Sequence, residues 1–384
     1  MKVKSRFGIE YKEFEIGDVV NLAIDEPLKL SCGMAISNFA VAYQTYGKLN
    51  ADKSNAILIC HALTGDQYVA SKNPVVQKDG WWDFMVGENK AIDTTKFFVI
   101  CSNVIGGCMG SFGPKEINRQ NNLPYGKNFP LLTIYDMVKA QKLLIDFFGI
   151  NKLHAIIGGS MGGMQVLAWS VLYPQMAKIL IPLATSYRYS PQNIAFHEVS
   201  RQAIINDADW CGGDYLQHQK FPKNGLALAR MTANITYLSE VSLQKKFGRD
   251  TKNKGGFSYS FQKEFEVESY LHYQSARFVE RFDPNSYLVI TRAVDYFDLE
   301  SDFGGNLAQA FSDLAKNKSC KICVIAFSDD WLFAPSEAKK LTFSLSANNI
   351  NVSMVVIESE GGHDSFLLKN NNLEKTIYSL LVEN

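Results

Sequence analysis

Apolar residues along this chain gather in short, nearly unbroken runs. Residues 56–60 (Ala-Ile-Leu-Ile-Cys), 97–101, 153–157 and 179–183 read this way, as strands do when both faces of a parallel sheet are covered. Between the second and third runs the period changes. Ile134, Met137, Val138, Gln141, Leu144, Ile145 and Phe148 recur at helical spacing over residues 133–148, with Gly149 as the stop. A second helix is predicted over 161–171, ended near Tyr173-Pro174. Strands alternating with helices in this way predict an α/β fold whose mostly parallel sheet carries helices on both faces.

From residue 186 to 291 the pattern is different. Strand signals vanish, and aromatic-rich helical stretches such as 225–240 and 266–278 take their place, with a polar, glycine-containing loop at 249–256. Strand runs return at 322–327 and 352–357, and the chain ends in a helix. The expected organisation is a catalytic core of residues 1–185 and 292–384, interrupted by a helical lid at 186–291. No internal repeat or low-complexity tract interrupts this plan.

Composition narrows the partners. Thirty-nine basic residues balance thirty-nine acidic ones among 384, so no long-range field draws nucleic acid or an anionic membrane. A small-molecule substrate is expected instead. The first ten residues carry positive charge without a secretory apolar segment. No stretch reaches 18 uninterrupted apolar residues, so no membrane span is expected. Seven cysteines, scattered from Cys32 to Cys323, make no disulfide framework, and a reducing cytoplasmic setting fits them. Cys320 and Cys323 have redox-motif spacing but fall in a strand-like run, which reads as two buried structural thiols.

The chemistry centres on Gly158-Gly-Ser-Met-Gly-Gly163. A buried strand runs into this motif and a helix leaves it, so Ser160 sits on a sharp strand-to-helix turn that exposes its hydroxyl. The small residues two before and two after relieve backbone crowding. A serine hydroxyl needs a base, itself oriented by an acid, to become a nucleophile. In α/β-hydrolase folds the chain order is serine, then acid, then histidine. Of the six histidines, only His363 follows a late strand, in Gly361-Gly-His-Asp-Ser-Phe366. His61 precedes the serine, His154 lies within a strand, and His197, His218 and His272 fall in the helical insertion. The loop after the 322–327 strand offers two adjacent acids, Asp329 and Asp330, and the order rule does not choose between them. The backbone N–H of Met161 and that of Leu63, in the loop after the first strand, are the candidate oxyanion donors.

A nucleophile, base, acid and lid specify acyl transfer but not the acceptor. Several blocks are more specific: Val41-Ala-Tyr-Gln-Thr-Tyr-Gly-Lys-Leu-Asn50, Cys60-His-Ala-Leu-Thr-Gly-Asp66, Gly80-Trp-Trp-Asp83, Ala91-Ile-Asp93, Cys101-Ser-Asn-Val-Ile-Gly-Gly-Cys108, the serine block extended to Gln165, Ala229-Arg-Met231, Phe265-Glu-Val-Glu-Ser-Tyr270, Trp331-Leu-Phe333 and Gly362-His-Asp364. Together they resemble the homoserine O-acetyltransferases of methionine biosynthesis, from about residue 35 to 370. The resemblance implies a ping-pong reaction without a resident cofactor or metal. Acetyl-CoA would acylate Ser160, and L-homoserine would take the acetyl group on its side-chain hydroxyl. It selects Asp330, which directly precedes Trp-Leu-Phe, as the acid. It implies that Arg230 holds the homoserine carboxylate and Asp364 its ammonium. Tyr237, at i+7 from Arg230 with Asn234 at i+4, joins them on one helix face. It also implies a homodimer joined through the lid. Phe112, Tyr68, Asn234 and Ser365 stand where the family pattern has threonine, histidine, histidine and alanine. Succinyl-CoA as donor, serine as acceptor, or water as acceptor in an esterase or thioesterase, are the alternatives on the same scaffold.

Overall fold

The structure, a computed structural model, describes residues 2–4, 10–12, 17–252, 257 and 259–382. Residues 253–256 of the predicted loop, and residues 1 and 5–9 of the charged amino terminus, lie outside them.

Eight strands make the main sheet: β1 (Asp18–Leu22), β2 (Phe39–Tyr46), β3 (Ala56–Cys60), β4 (Phe98–Ser102), β5 (Leu153–Gly159), β6 (Ala177–Leu183), β7 (Lys321–Phe327) and β8 (Asn351–Ile357). Their order is β8-β7-β6-β5-β3-β4-β2-β1. Only β2 runs against its neighbours β1 and β4. Every other pairing is parallel.

The predicted strands share a cause. Leu58 packs into one core cluster while Ile57 and Ile59 pack into the other, so alternate side chains of β3 are buried on opposite faces. The same division separates Ile156 from Ala155 and Ile157 on β5. β1 and β2 carried no strand prediction because β1 is partly exposed at the sheet edge and β2 beside it is only half-buried over residues 43–46, so apolar and polar positions mix.

Helix α1 (Ile134–Phe147) starts on a capping box in which Thr133 accepts from the Asp136 amide and the Asp136 carboxylate takes the Thr133 amide. It packs with α2 (Met161–Leu172) on one face of the sheet. Between β6 and β7 the described residues add no strand to any sheet. They form α3 (Pro191–Ile205), α4 (Lys223–Tyr237), α5 (Glu240–Phe247), α6 (Glu266–Val279), α7 (Pro284–Asp295) and the single turn α8 (Leu299–Asp302). The helix predicted at 225–240 stops at Tyr237, because the Ser239 hydroxyl accepts the Ser242 amide and starts α5 as a new cap. Helix α7 continues past residue 291, so the expected lid boundary falls inside a helix. Asp295 near its end is held by Arg201 (2.6 Å) and His197 (2.7 Å) of α3. Helix α9 (Pro335–Ser346) follows β7, and α10 (Asn371–Val382) covers the other face with Leu373, Ile377 and Leu381. Among the described residues no helix is long and apolar enough to cross a membrane. All seven cysteines are free, and Cys320 and Cys323 are buried.

Candidate active site

Ser160 follows β5 directly and caps α2 with φ 58° and ψ −124°. A non-glycine residue at positive φ is strained, and the surroundings must hold it there. They do so through three hydrogen bonds. The Ser160 amide donates to the Leu183 carbonyl (3.0 Å), the Thr185 hydroxyl donates to the Ser160 carbonyl (2.8 Å), and the Met164 amide takes the same oxygen as the helix begins. The turn also requires glycine. A Cβ on Gly158 would lie 2.4 Å from the Gly162 carbonyl oxygen, and one on Gly162 would lie 2.1 Å from that of Cys60.

The Ser160 hydroxyl lies 2.8 Å from His363 Nε2, and His363 Nδ1 lies 2.8 Å from Asp330 Oδ2. Asp330 is 2% exposed, and its other oxygen accepts the amides of Leu332 (3.0 Å) and Phe333 (2.9 Å). Burial pulls the His363 imidazole down, but the Asp330 charge and hydrogen bond, helped by Asp364, more than offset it. The net shift is upward from an ordinary histidine. The two candidate acids therefore have different surroundings. Asp330 faces His363, while Asp329 accepts the Gly362 amide (2.7 Å) and the Ser359 hydroxyl, bracing the turn that carries the histidine. Trp82 of the Gly-Trp-Trp-Asp block donates to the Phe366 carbonyl (2.8 Å) and braces that turn from the other side.

Met161 opens α2, so its amide is among the orphan donors of a helix amino terminus. Leu63 lies in the loop after β3. His61 shapes that loop: its Nε2 accepts the Val104 amide (3.1 Å), which leaves Nδ1–H to donate to the Ala62 carbonyl (2.8 Å). Burial lowers its pKa to about 4, so it stays neutral. This explains why a histidine so close to Ser160 is no rival for the base. His154 and His197 likewise have partners elsewhere, the Leu381 carbonyl and Asp295.

In the helical insertion, Arg230 of α4 lies beneath Tyr237 (5.4 Å) and Phe278 (5.0 Å) and reaches the Thr64 hydroxyl at 3.4 Å. The Tyr237 ring is 6.0 Å from that of His363. Asp364 is half-buried beside the histidine. Burial, with a smaller push from Asp330, holds its carboxyl above the ordinary carboxylate value, although His363 and Arg230 pull against that shift. Arg230 Nε and Asn234 Nδ2 are buried with no acceptor among the described residues. A cavity of about 270 Å³ opens here between the loop after β3 and the lid, lined in part by Thr64, Asp66, Trp81, Arg230, Phe278 and Arg281. The sequence reading missed Thr64 and Arg281. Arg281 donates to the Thr64 carbonyl (2.9 Å) from the α6–α7 connection, and a lone arginine in a helical stretch carries no local signal of such a role. Further bonds tie the helical insertion to the loops that carry the acid and the histidine. The Trp331 indole donates to the Leu238 carbonyl (3.0 Å), and the Ser239 hydroxyl donates to that of Glu360 (2.7 Å). Among the described residues no group of three His, Cys, Asp or Glu could hold a metal ion.

A serine, imidazole and carboxylate in hydrogen-bonded series, with amide donors at a helix start, are equipped to form and break an acyl ester. Comparison with known proteins narrows this chemistry. Residues 55–370 match the α/β-hydrolase-fold family. A homoserine O-acetyltransferase of Mesorhizobium japonicum is 53% identical over 350 residues, covering 91% of this chain and 89% of the relative. That of Pelagibacter ubique is 54% identical over 352 residues, covering 92% and 94%. Among solved structures, esterase E22 superimposes with a TM-score of 0.84 at 28% identity over 95% of this chain and 99% of its own. A Bacillus anthracis homoserine O-acetyltransferase does so with a TM-score of 0.84 at 27% identity over 96% and 97%.

Proposed function

The chain belongs to the homoserine O-acetyltransferase family of α/β-hydrolase-fold enzymes, and from that premise we propose that it transfers an acetyl group from acetyl-CoA to the side-chain hydroxyl of L-homoserine through an acetyl-Ser160 intermediate. The observation that carries the mechanism is the Asp330–His363–Ser160 series, at 2.8 Å per link, with the Asp364 carboxyl beside it close enough to feel the charges of both His363 and Arg230.

In the first half-reaction His363 Nε2 takes the Ser160 proton as Oγ attacks the thioester carbonyl. The tetrahedral oxyanion accepts the amides of Leu63 and Met161. Collapse breaks the carbon–sulfur bond, and the imidazolium protonates the departing CoA thiolate. In the second, Arg230 takes the homoserine carboxylate as a charge-assisted pair and Asp364 its ammonium. That places the hydroxyl to lose its proton to His363 and attack the acetyl ester. Collapse breaks the bond from the acetyl carbon to Ser160 Oγ, and the imidazolium returns the proton to Oγ as O-acetylhomoserine leaves. Asp330 holds the imidazole tautomer with its proton on Nδ1 and stabilises the imidazolium in both halves. CoA is a co-substrate, and the chain's own side chains do the chemistry.

We assign the helices from α3 to α6 as the lid over this cleft, and place the reaction in methionine biosynthesis in the cytoplasm. The neighbouring helices α3, α4 and α5 expose Val199, Leu228, Ile235 and Val241, an apolar surface that supports a homodimer through the lid. Hydrolysis is the competing outcome, because an esterase superimposes as well as an acetyltransferase does. The test follows acetyl-CoA turnover with and without homoserine, with mass spectrometry of the enzyme in each case. Acetyl-Ser160 should accumulate with acetyl-CoA alone and be discharged by homoserine as O-acetylhomoserine. Free acetate at full rate without the amino acid would make the protein an esterase. A faster discharge by serine, or acylation only by succinyl-CoA, would reassign acceptor or donor.

A further inference from the structure

One side-chain amide spans both walls of the oxyanion pocket. Gln165, one turn into α2 and fully buried, donates through Nε2 to the Met161 carbonyl (3.2 Å) and to the His61 carbonyl (3.1 Å). The first carbonyl belongs to the residue whose amide is one oxyanion donor. The second lies in the peptide just before Ala62-Leu63, which carries the other donor. The two walls arise from different places, α2 and the loop after β3, and nothing in the chain's covalent connectivity fixes their spacing.

The orientation of this amide is determined by donors further back. Gln141 of α1 accepts at Oε1 from the Trp169 indole (2.8 Å) and the Cys60 thiol (3.9 Å). An indole N–H can only donate, so Gln141 must turn its oxygen toward Trp169 and its NH₂ away. That NH₂ meets Gln165 Oε1 at 2.7 Å. Gln165 must then present its own NH₂ to the two carbonyls. The direction of every bond follows from Trp169, and neither amide can flip without leaving buried groups unpaired, at about 1–3 kcal/mol per group.

We propose that Gln165 is a positioning residue for acyl transfer, which clamps the Leu63 and Met161 amides at the separation the tetrahedral oxyanion requires, with Gln141 and Trp169 setting its orientation. The inference rests on the reading of Ser160 as nucleophile. The clamp acts at the transition state, where donors must sit about 2.7–3.1 Å from the developing oxyanion. It touches neither CoA nor the homoserine pocket.

Three measurements on the full-length enzyme test it. Gln165→Met keeps length and volume but donates nothing. It should lower the rates of both half-reactions by about 10- to 100-fold, less than the loss of a whole oxyanion donor. KM for homoserine and the dissociation constant for CoA should stay within about threefold, since neither ligand meets the clamp. The rate at which a fluorophosphonate phosphonylates Ser160, which passes through the same oxyanion geometry, should fall in parallel. Gln141→Met leaves Gln165 its two carbonyls but frees its orientation, and should give a smaller loss of the same kind. If folded Gln165→Met phosphonylates and turns over at the wild-type rate, the clamp is refuted while the nucleophile survives. Should Gln165→Met not fold, Gln141→Met decides the matter by the same readouts, and wild-type rates there refute the clamp. A loss of melting temperature with unchanged rates per folded molecule would mean ordinary core packing, and also refutes it. Failure of Ser160 in the wild-type protein to take the fluorophosphonate would instead remove the nucleophile reading.

Discussion

At the carboxyl edge of the sheet, Ser160, His363, Asp330 and Asp329 each meet a partner from another segment. On helix α4, Arg230 Nε and Asn234 Nδ2 are buried without an acceptor among the described residues, and the hydrogen bond of Arg230 to the Thr64 hydroxyl is a long 3.4 Å. Buried donors in a folded protein are normally paired, so the contrast separates two kinds of site. The sheet edge is organised before any substrate arrives, as a general acyl-transfer machine must be. On α4 the unpaired donors leave hydrogen-bonding capacity that the proposed function assigns to a polar ligand. The equal superposition of an esterase and an acetyltransferase on this chain fits that division.

The sharpest way to break the comparison is to disable one half and measure the other. Ser160→Ala should reduce acetyl transfer by about 10⁴-fold or more. Homoserine binding, followed by calorimetry, should be nearly unchanged. A parallel loss of binding would show that the two halves are one cooperative unit. Next in size is the pair of neighbouring acids. Asp330→Asn should cost about 10³- to 10⁴-fold in kcat, since the imidazole loses the partner that fixes its tautomer. Asp329→Asn should cost far less, because Asp329 meets the Gly362 amide and not the histidine. The reverse ranking in steady-state kinetics would show that the acid is misassigned.

A third substitution separates the halves from the lid side. Arg230→Met should raise KM for homoserine by about 10- to 100-fold, the worth of a charge-assisted hydrogen bond to the substrate carboxylate. Acylation by acetyl-CoA, measured by rapid quench, should change by less than about threefold, since uniform acceptor binding is what is lost. Equal losses in both half-reactions would place Arg230 in the donor site.

The same division decides what could be read from the sequence. The strand before Ser160 and the helix after it are encoded locally, in an apolar run, crowded glycines and a helical period, so β5, the turn and α2 stand close to where the pattern predicts them. His363 followed from position among six histidines. The choice of Asp330 over Asp329 did not follow from local pattern, because it depends on which carboxylate the turn after β7 points at the imidazole. Arg230 and Asp364 were legible only through family resemblance, and Tyr237 only through its helical spacing from Arg230: a half-buried arginine on α4 has the same local sequence signature as a solvated one. Arg281, Thr64 and the Gln165 clamp were invisible, since each acts across a distance in sequence that no spacing rule covers. The edge strand β1 and its neighbour β2 escaped because partly exposed strands lack the unbroken apolar run that marks buried ones.

The smallest predicted effect falls on the residue where the halves meet. Asp364 follows His363 in sequence and shares its charge between the imidazole and Arg230. The imidazole must be neutral to take a proton, so activity is lost as pH falls through its pKa. That pKa is raised above the ordinary 6.5 by Asp330 and, less strongly, by Asp364, against the opposing effect of burial. The acid limb of kcat/KM for acylation should therefore lie above 6.5. Asp364→Asn removes one raising charge and leaves the burial in place, so the limb should move to lower pH, making the variant relatively more active in acid. The acylation half-reaction is the right one to follow, because homoserine binding is weakened by the same substitution and would distort the full cycle. An acid limb that stays put would mean that Asp364 belongs to the lid half alone. A shift to higher pH would mean that Asp364 lowers rather than raises the imidazole pKa, which overturns the sign of its coupling to His363.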